Sequence, residues 1–351
     1  MIKMTNEIKV FELSGGAHDI GFQQGEKFKD DVEKIVNQFF QIYDGFGLSK
    51  EQVLRRAMRY VPFIEDYSPE IAEEMKGIAE GSDKDLAEIA MIVAYYEIYD
   101  RIAFSSGCTS IGVSPQETKD GVAYVAQNWD DDVNWYWGGK MPRLLKKRRK
   151  TGPEVLAYVY PGMPASAGLN SSGIGLCWNT CHCERSKVGV PTYVILTEIL
   201  HQERIGDALG AIIRAERAES FNFMMGDKNG EVYNVEASPD FYDAQYVERF
   251  MGHANHFESK KIPIERDMII EFIPDTIIRH NRMNKLLKTK AGEIDLKECM
   301  NFLSDHVNYP NSICRHGDMK TFSSMILALS KGEMWLAHGN PCETEYKKYT
   351  L

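Results

Sequence analysis

No stretch of this chain reaches the ~18 consecutive apolar residues that read as a membrane span. The opening residues, Met1 to Glu7, carry charges and no apolar block, so no secretory signal is expected there. Positive charge is not in excess. Lys and Arg number 41 against 51 Asp and Glu, a net charge of -10, which argues against a general nucleic-acid footprint. Internal repeats and low-complexity linkers are missing. So are a G-x-S-x-G elbow, a phosphate-binding P-loop, an H-E-x-x-H pair and a G-x-G-x-x-G turn. Their absence speaks against the commonest serine hydrolase, NTPase, zincin and dinucleotide-binding readings. Cysteine is sparse and odd in number, seven in 351 residues. That fits reduced thiols in a cytoplasm better than a disulfide framework.

What is present suits a large folded core: 43% hydrophobic residues and 11% aromatic ones. Residues 20–43 place apolar side chains at helical spacing (Phe28, Val32, Ile35, Val36, Phe39, Phe40), ending at Gly45 and Gly47. Ser49 caps a second helix. Ser68-Pro69-Glu70 starts a third, with proline at the tolerated first position. Residues 85–104 form a fourth, apolar nearly all round and therefore buried. From Cys108 the pattern changes to short β-rich runs at 109–113, 122–127, 155–160, 165–169 and 174–179, with Asn170 to Gly173 as a hairpin turn. Two helices (191–202, 205–217), three strands (220–225, 232–237, 250–254), two helices (277–287, 296–303) and two strands (322–329, 334–338) follow. Helix pairs alternating with hairpins predict a layered α+β architecture and argue against a Rossmann fold or a TIM barrel. The basic run Arg143 to Lys150 reads as the solvated end of a helix or hairpin rather than an anion-binding surface.

Two segments carry candidate chemistry. Cys177, Cys181, His182 and Cys183 offer soft metal ligands. Period two, however, puts the three cysteines on one strand face and His182 on the other, and no second cluster completes a site. Three small buried apolar side chains are the simpler reading, and no metal or cofactor is expected. The second segment is Gly107-Cys108-Thr109-Ser110. Glycine imposes no side-chain clash and allows unusual backbone angles. A thiolate at Cys108 can then attack the Gly107 carbonyl, turn the amide into a thioester, and lose it to water. The product carries a thiol and a free α-amine on one residue. That amine has a reference pKa of about 7.7–8.0, suited to a base beside a nucleophile.

Gly107-Cys108-Thr109-Ser110 and Gln127-Asn128-Trp129-Asp130 together resemble the acyl-coenzyme A:6-aminopenicillanic acid acyltransferase family of self-processing cysteine N-terminal-nucleophile hydrolases. Glu74 to Gly81, Gly168 to Gly173, Glu236-Ala237-Ser238-Pro239, His253 to His256 and Tyr309 to Arg315 follow the family's order, with a weaker glycine-rich echo at Gly15 to Gly25. The resemblance implies an αββα sandwich of two antiparallel sheets between helical layers. It implies cleavage at Gly107–Cys108, giving a helical chain, 1–107, and a catalytic chain, 108–351, that together form one domain. Cys108 would be the nucleophile and Asp130 the carboxylate that holds its amine. Asn255 would be the oxyanion donor, and Arg315 the cation beside the thiolate. Ser238 and Trp129 are weaker candidates for processing or substrate contact. His253 and His256 read as structural or pocket-lining. Trp135, Tyr136 and Trp137 lie close enough in sequence to line an acyl pocket or to pack as a loop.

The expected activity is amide hydrolysis or acyl transfer on a small-molecule acyl substrate, with acyl-coenzyme A as donor if transfer is the reaction. No nucleic-acid or membrane partner is expected. The partners are the two chains of one precursor, with a homo-oligomer left open. Two other readings stand beside it: a non-catalytic binding protein on a decayed scaffold, and a metal-dependent hydrolase built on the Cys177–Cys183 cluster.

Overall fold

The computed structural model describes residues 7–98, 106–133, 141–183, 186–264 and 266–351. Its strands form two sheets. The larger runs β1 (Val10–Gly15), β4 (Arg143–Arg149), β5 (Val155–Val159), β6 (Ala167–Asn170), β7 (Gly175–Thr180), β8 (Phe221–Gly226), β9 (Val232–Ala237) and β10 (Tyr242–Tyr246) in spatial order. The smaller runs β11 (Phe250–His253), β2 (Ser106–Val113), β3 (Tyr124–Asp132), β12 (Met319–Ala328), β13 (Glu333–His338) and β14 (Lys347–Thr350). Pairing is antiparallel throughout except where β1 joins β4 in parallel. The sheets face each other through β2, β3, β7 and β8.

Helices cover both outer faces, the αββα order that the resemblance implies. The chain before Cys108 supplies α1 (Ala17–Lys27), α2 (Lys29–Gly45), α3 (Lys50–Met58), α4 (Val61–Tyr67), α5 (Pro69–Ser82), α6 (Leu86–Val93) and α7 (Tyr95–Ile98). The remainder supplies α8 (Thr192–Leu200), α9 (Ile205–Arg214), α10 (Met268–Phe272), α11 (Asp275–Thr289) and α12 (Leu296–Leu303). The hydrophobic interior divides accordingly. One cluster fills the space between the sheets and continues under the N-terminal helices. A second lies between the smaller sheet and α11 and α12, built on Ile111, Val113, Tyr124, Ile326, Met283 and Phe302. Among the described residues no helix is long and apolar enough to cross a membrane.

Local chemistry explains the helix starts. Ser49 accepts from the Gln52 amide while the Gln52 side chain accepts from the Ser49 amide, a closed capping box. The two glycine-rich strings noted in the sequence pack against each other as α1 and α5. A Cβ on Gly21 would lie 2.0 Å from the Glu74 carbonyl oxygen, and one on Gly77 would lie 2.2 Å from the His18 carbonyl oxygen. Only glycine allows the two backbones this approach.

Three expectations are corrected. The helix expected over 20–43 is two helices, broken at Phe28 (φ -118°, ψ 23°), whose ring packs edge-on against Phe11 at 4.9 Å. Apolar spacing persists through that break, so periodicity does not see it. The helix expected over 85–104 is likewise interrupted at Ala94, and residues 99–104 lie outside the described residues. The basic run is the strand β4, not a solvated end. Lys147 is fully buried, donating from Nζ to Glu74 and to the Pro164 carbonyl, and Arg149 pairs with Glu70.

Candidate active site

Strand β2 alternates between two environments. Ser110 points between the sheets, where its hydroxyl donates to Asn179 Oδ1 of β7 at 2.6 Å. Ile111 and Val113 point the other way, into the α11–α12 layer. By the same alternation Cys108 faces the inter-sheet core and Gly107 the helical layer. Cross-strand register places Trp129 opposite Cys108 and Asp130 opposite Gly107. The nucleophile candidate and the charged candidates therefore occupy opposite faces of one sheet.

On the thiol face, Cys108 has no solvent exposure. Burial pushes its thiol up to about 12; the Asp130 carboxylate adds to this, and a hydrogen bond from Gln127 opposes it. Trp129 packs edge-on against Tyr158, Tyr160 and Trp178, with ring centroids 5.2–6.0 Å away. Its indole N–H has no partner among the described residues. Cys177 lies close enough for Cys108 to raise its thiol further above the range set by burial.

On the other face four charged side chains interlock. Asp275 accepts from Arg279 Nε at 2.8 Å and from Arg315 Nη1 at 2.6 Å and Nη2 at 3.2 Å. Thr321 donates its hydroxyl to Asp130 Oδ1 at 2.6 Å and accepts from the Arg315 amide at 2.9 Å. Asp130 Oδ2 and Arg315 Nε have no partner among the described residues. Burial pushes the Asp130 carboxyl up to about 7, against the pull of Arg315 and Arg279. Burial also pushes Asp275 up, but the same two guanidiniums outweigh it and hold that carboxyl below its usual range. A Cβ at Gly107 would lie 2.8 Å from Met319 Sδ, 3.5 Å from Arg315 Nη1 and 3.7 Å from Asp130 Cβ. Glycine there lets these groups close on the backbone. Outside them lies a cleft of 720 Å³ lined by Asp275, Asn311, Arg315, Met319, Phe272 and Ile278, within the size range of small-molecule sites.

The Cys108 backbone joins the two faces. β11 ends at His253, opposite Ser110, so the ladder stops just before Cys108. The Asn255 side chain replaces it: Cys108 N–H donates to Asn255 Oδ1 at 3.0 Å. Arg279 donates to the Cys108 carbonyl at 2.5 Å, to Thr109 Oγ1 at 2.9 Å and to Asn255 Oδ1 at 2.9 Å. Asn255 Nδ2 donates to the Thr180 carbonyl and hydroxyl at 3.0 and 2.9 Å. These partners fix the amide's orientation, because two donors can meet only its oxygen. The acceptor end of Asn255 therefore faces Cys108. This differs from the oxyanion-donor arrangement expected of it.

Cys108, Asp130, Asn255 and Arg315 thus come together around the Gly107–Cys108 bond. Ser238 does not join this network. It closes a turn, with its hydroxyl accepting from Phe241 N–H at 3.1 Å and its carbonyl from Arg217 at 2.8 Å. His253 is tied to Glu236 at 2.8 Å and His256 to Thr276 at 2.9 Å, as structural groups. Trp135, Tyr136 and Trp137 lie outside the described residues. Cys177, Cys181 and Cys183 are buried. Among the described residues, the groupings with ligand atoms within 4.8 Å of one another are His306, Cys314, His316, Cys342 and His256, Glu258, His280. Neither includes the cluster at 177–183. Sequence reasoning missed Arg279, Asp275 and Thr321. The only local signal was an i,i+4 Asp–Arg pair on a helix, which on most helices is an exposed pair.

A family model described as acyl-coenzyme A:6-aminopenicillanic acid acyl-transferase matches residues 116–343, beginning just after Cys108. The acyl-coenzyme A:6-aminopenicillanic-acid-acyltransferase 40 kDa form of Emericella nidulans is 26% identical over 308 residues, covering 86% of this chain and 83% of that one. Protein dcd1A of Dictyostelium discoideum is 22% identical over 337 residues, covering 84% and 73%. A mutant conjugated bile acid hydrolase from Clostridium perfringens, a solved structure, is 15% identical with a TM-score of 0.45, covering 69% of this chain and 97% of that one. With the family model spanning well over half of its residues, the chain belongs to the acyl-coenzyme A:6-aminopenicillanic acid acyl-transferase family.

Proposed function

We propose that this protein is a self-cleaving cysteine amidohydrolase or acyltransferase whose nucleophile is Cys108. Cleavage divides it into a chain of residues 1–107 and a catalytic chain of residues 108–351. Cys108 Sγ attacks the Gly107 carbonyl carbon, and the Gly107–Cys108 C–N bond breaks. Gly107 then sits on sulfur as a thioester, and the α-amine takes a proton. Water hydrolyses the thioester, leaving a carboxylate at Gly107 and a free thiol at Cys108. Asn255 Oδ1, which now accepts from the amide N–H, is placed to accept from the new amine. Asp130 Oδ2, without a partner among the described residues and beside Gly107, would receive it as an ammonium. Amine positioning is the role this arrangement supports for Asn255, with oxyanion donation left to backbone N–H groups. Arg315 and Arg279 hold positive charge next to the reacting residue.

In turnover, Cys108 attacks the carbonyl of a linear amide or acyl thioester, and its amine acts as base. The leaving group departs protonated, and a thioester acyl-enzyme forms. Water completes hydrolysis; an incoming amine completes transfer, with acyl-coenzyme A as a donor class. The Emericella relative is named for 6-aminopenicillanic acid, and the aromatic side chains packed beside Cys108 suit an apolar acyl group. An odd number of cysteines, seven, suits a cytoplasmic setting in which they stay reduced.

The observation that carries this reading is the setting of the Cys108 backbone. It is buried, with its N–H, part of the scissile amide, held by Asn255 and its carbonyl, part of the following amide, held by Arg279, and a carboxylate oxygen with no partner among the described residues lies beside the preceding glycine. Denaturing electrophoresis with N-terminal sequencing tests it. A second chain beginning at Cys108 is expected, and Cys108→Ala should abolish both processing and turnover of N-acyl amino acids and acyl amines. A persistent 351-residue chain with no turnover would instead identify a binding protein on this scaffold.

A further inference from the structure

His306, Cys314, His316 and Cys342 come from three separate segments: the turn after α12, the approach to β12, and the loop after β13. Their ligand atoms converge. His306 Nε2 and His316 Nε2 are 3.1 Å apart. Cys314 Sγ and Cys342 Sγ each lie 3.4 Å from His316 Nε2, and the two sulfurs are 3.6 Å apart. Zinc bonded to sulfur at ~2.3 Å and to nitrogen at ~2.0–2.1 Å in a tetrahedron has ligand–ligand edges of about 3.3–3.8 Å. The two sulfur–nitrogen separations to His316 and the sulfur–sulfur separation fall on those edges, the nitrogen–nitrogen separation of 3.1 Å lies just short of them, and all four ligand atoms lie within 4.8 Å of one another. Two thiols and two imidazoles are also the donor set that selects zinc over hard cations.

Surrounding groups favour the same ion. Asn340 Nδ2 donates to Cys314 Sγ at 3.4 Å and to the Arg315 carbonyl at 2.6 Å, as an outer partner of a metal-bound sulfur would. His306 is exposed while Cys314 is buried, so the site opens to solvent on one side.

We propose that His306, Cys314, His316 and Cys342 bind one zinc ion as a structural clamp. Four protein ligands complete the tetrahedron and leave no position for substrate or water. Two of them flank Arg315. The clamp therefore ties the wall of the 720 Å³ cleft, and the backbone that carries Arg315, to the C-terminal loop at Cys342. Its role is to position Arg315 against Asp275, not to act on the acyl group.

Elemental analysis of the full chain, purified without chelator under reducing conditions, is the test. One zinc per chain is expected, and the Cys108→Ala chain should hold the same amount, which separates this proposal from self-cleavage. Cys342→Ser and His306→Ala should lose the metal, whereas Cys183→Ser, altered at a buried thiol elsewhere, should keep it. Cobalt exchanged into the wild-type chain should give the visible bands of a tetrahedral thiolate site, a readout that needs no variant to fold. Removing zinc should lower the melting temperature, and returning it should restore it. A wild-type chain that stays metal-free after dialysis against zinc would overturn the proposal. So would a Cys314–Cys342 disulfide found by mass spectrometry in the reduced preparation.

Discussion

Two buried ion clusters in this molecule both set carboxylates against cations and are built differently. Glu74 and Lys147 join α5 to β4, and the pair is closed, since Lys147 also donates to the Pro164 carbonyl and neither side chain keeps a buried atom without a partner. Burial pushes Glu74 up and Lys147 down, each toward its neutral form, and their mutual attraction opposes it. Asp130, Asp275, Arg279 and Arg315 form a cluster that, among the described residues, is left open at Asp130 Oδ2 and Arg315 Nε, beside Gly107. A closed pair holds two elements together. An open one costs desolvation without full return, which a fold keeps where something else is to bind.

The largest expected effect breaks the closed pair. Glu74→Ala leaves Lys147 buried without its counter-ion, and should cost about 3–5 kcal/mol in equilibrium denaturation of the Cys108→Ala chain. Replacing both residues by methionine should recover most of it. A loss under about 1 kcal/mol for Glu74→Ala would mean that the pair is hydrated and the contrast with Asp130 does not hold.

The open cluster is probed by pH. Asp130 is raised from 3.8 to about 7 in the folded chain, so between those values the folded state binds a proton that the unfolded state releases. Its stabilising contribution is complete below pH 4 and is lost as pH rises through 7. In the Cys108→Ala chain, Asp130→Asn should remove this slope, a difference of up to about 4 kcal/mol across that window. Parallel pH profiles for the two chains would show that Asp130 is not held as described.

The smallest effect sharpens the geometry. Arg315→Lys keeps the charge but loses the two-pronged grip on Asp275. The first-order rate of precursor cleavage should fall about tenfold, or about 1.4 kcal/mol, with little change in melting temperature. An unchanged rate would reduce Arg315 to a source of charge.

Much of the architecture was legible locally. The Ser49 cap, the Pro69 start of α5, the turn at Asn170 and the strand onset near Cys108 all depend on neighbours within a few residues. Phe28 shows where that fails: its spacing is helical, yet its backbone leaves the helix so that its ring can meet Phe11. The run at β4 looked solvated because five of its seven residues are basic. Its burial depends on Glu74, which lies 73 positions away.

The candidate site divides in the same manner. The sequence by itself determined which residue carries the thiol, which glycine precedes it, and where Asp130, Asn255 and Arg315 stand in the family's order. Only the tertiary structure decided that Cys108 and Asp130 lie on opposite faces of a sheet, that Asn255 presents its oxygen, and that Arg279 is buried against the Cys108 carbonyl. Strand alternation is local, but the partner of each face is set by packing. An Asp275–Arg279 pair becomes part of a site only when α11 docks on β2 and takes it out of water.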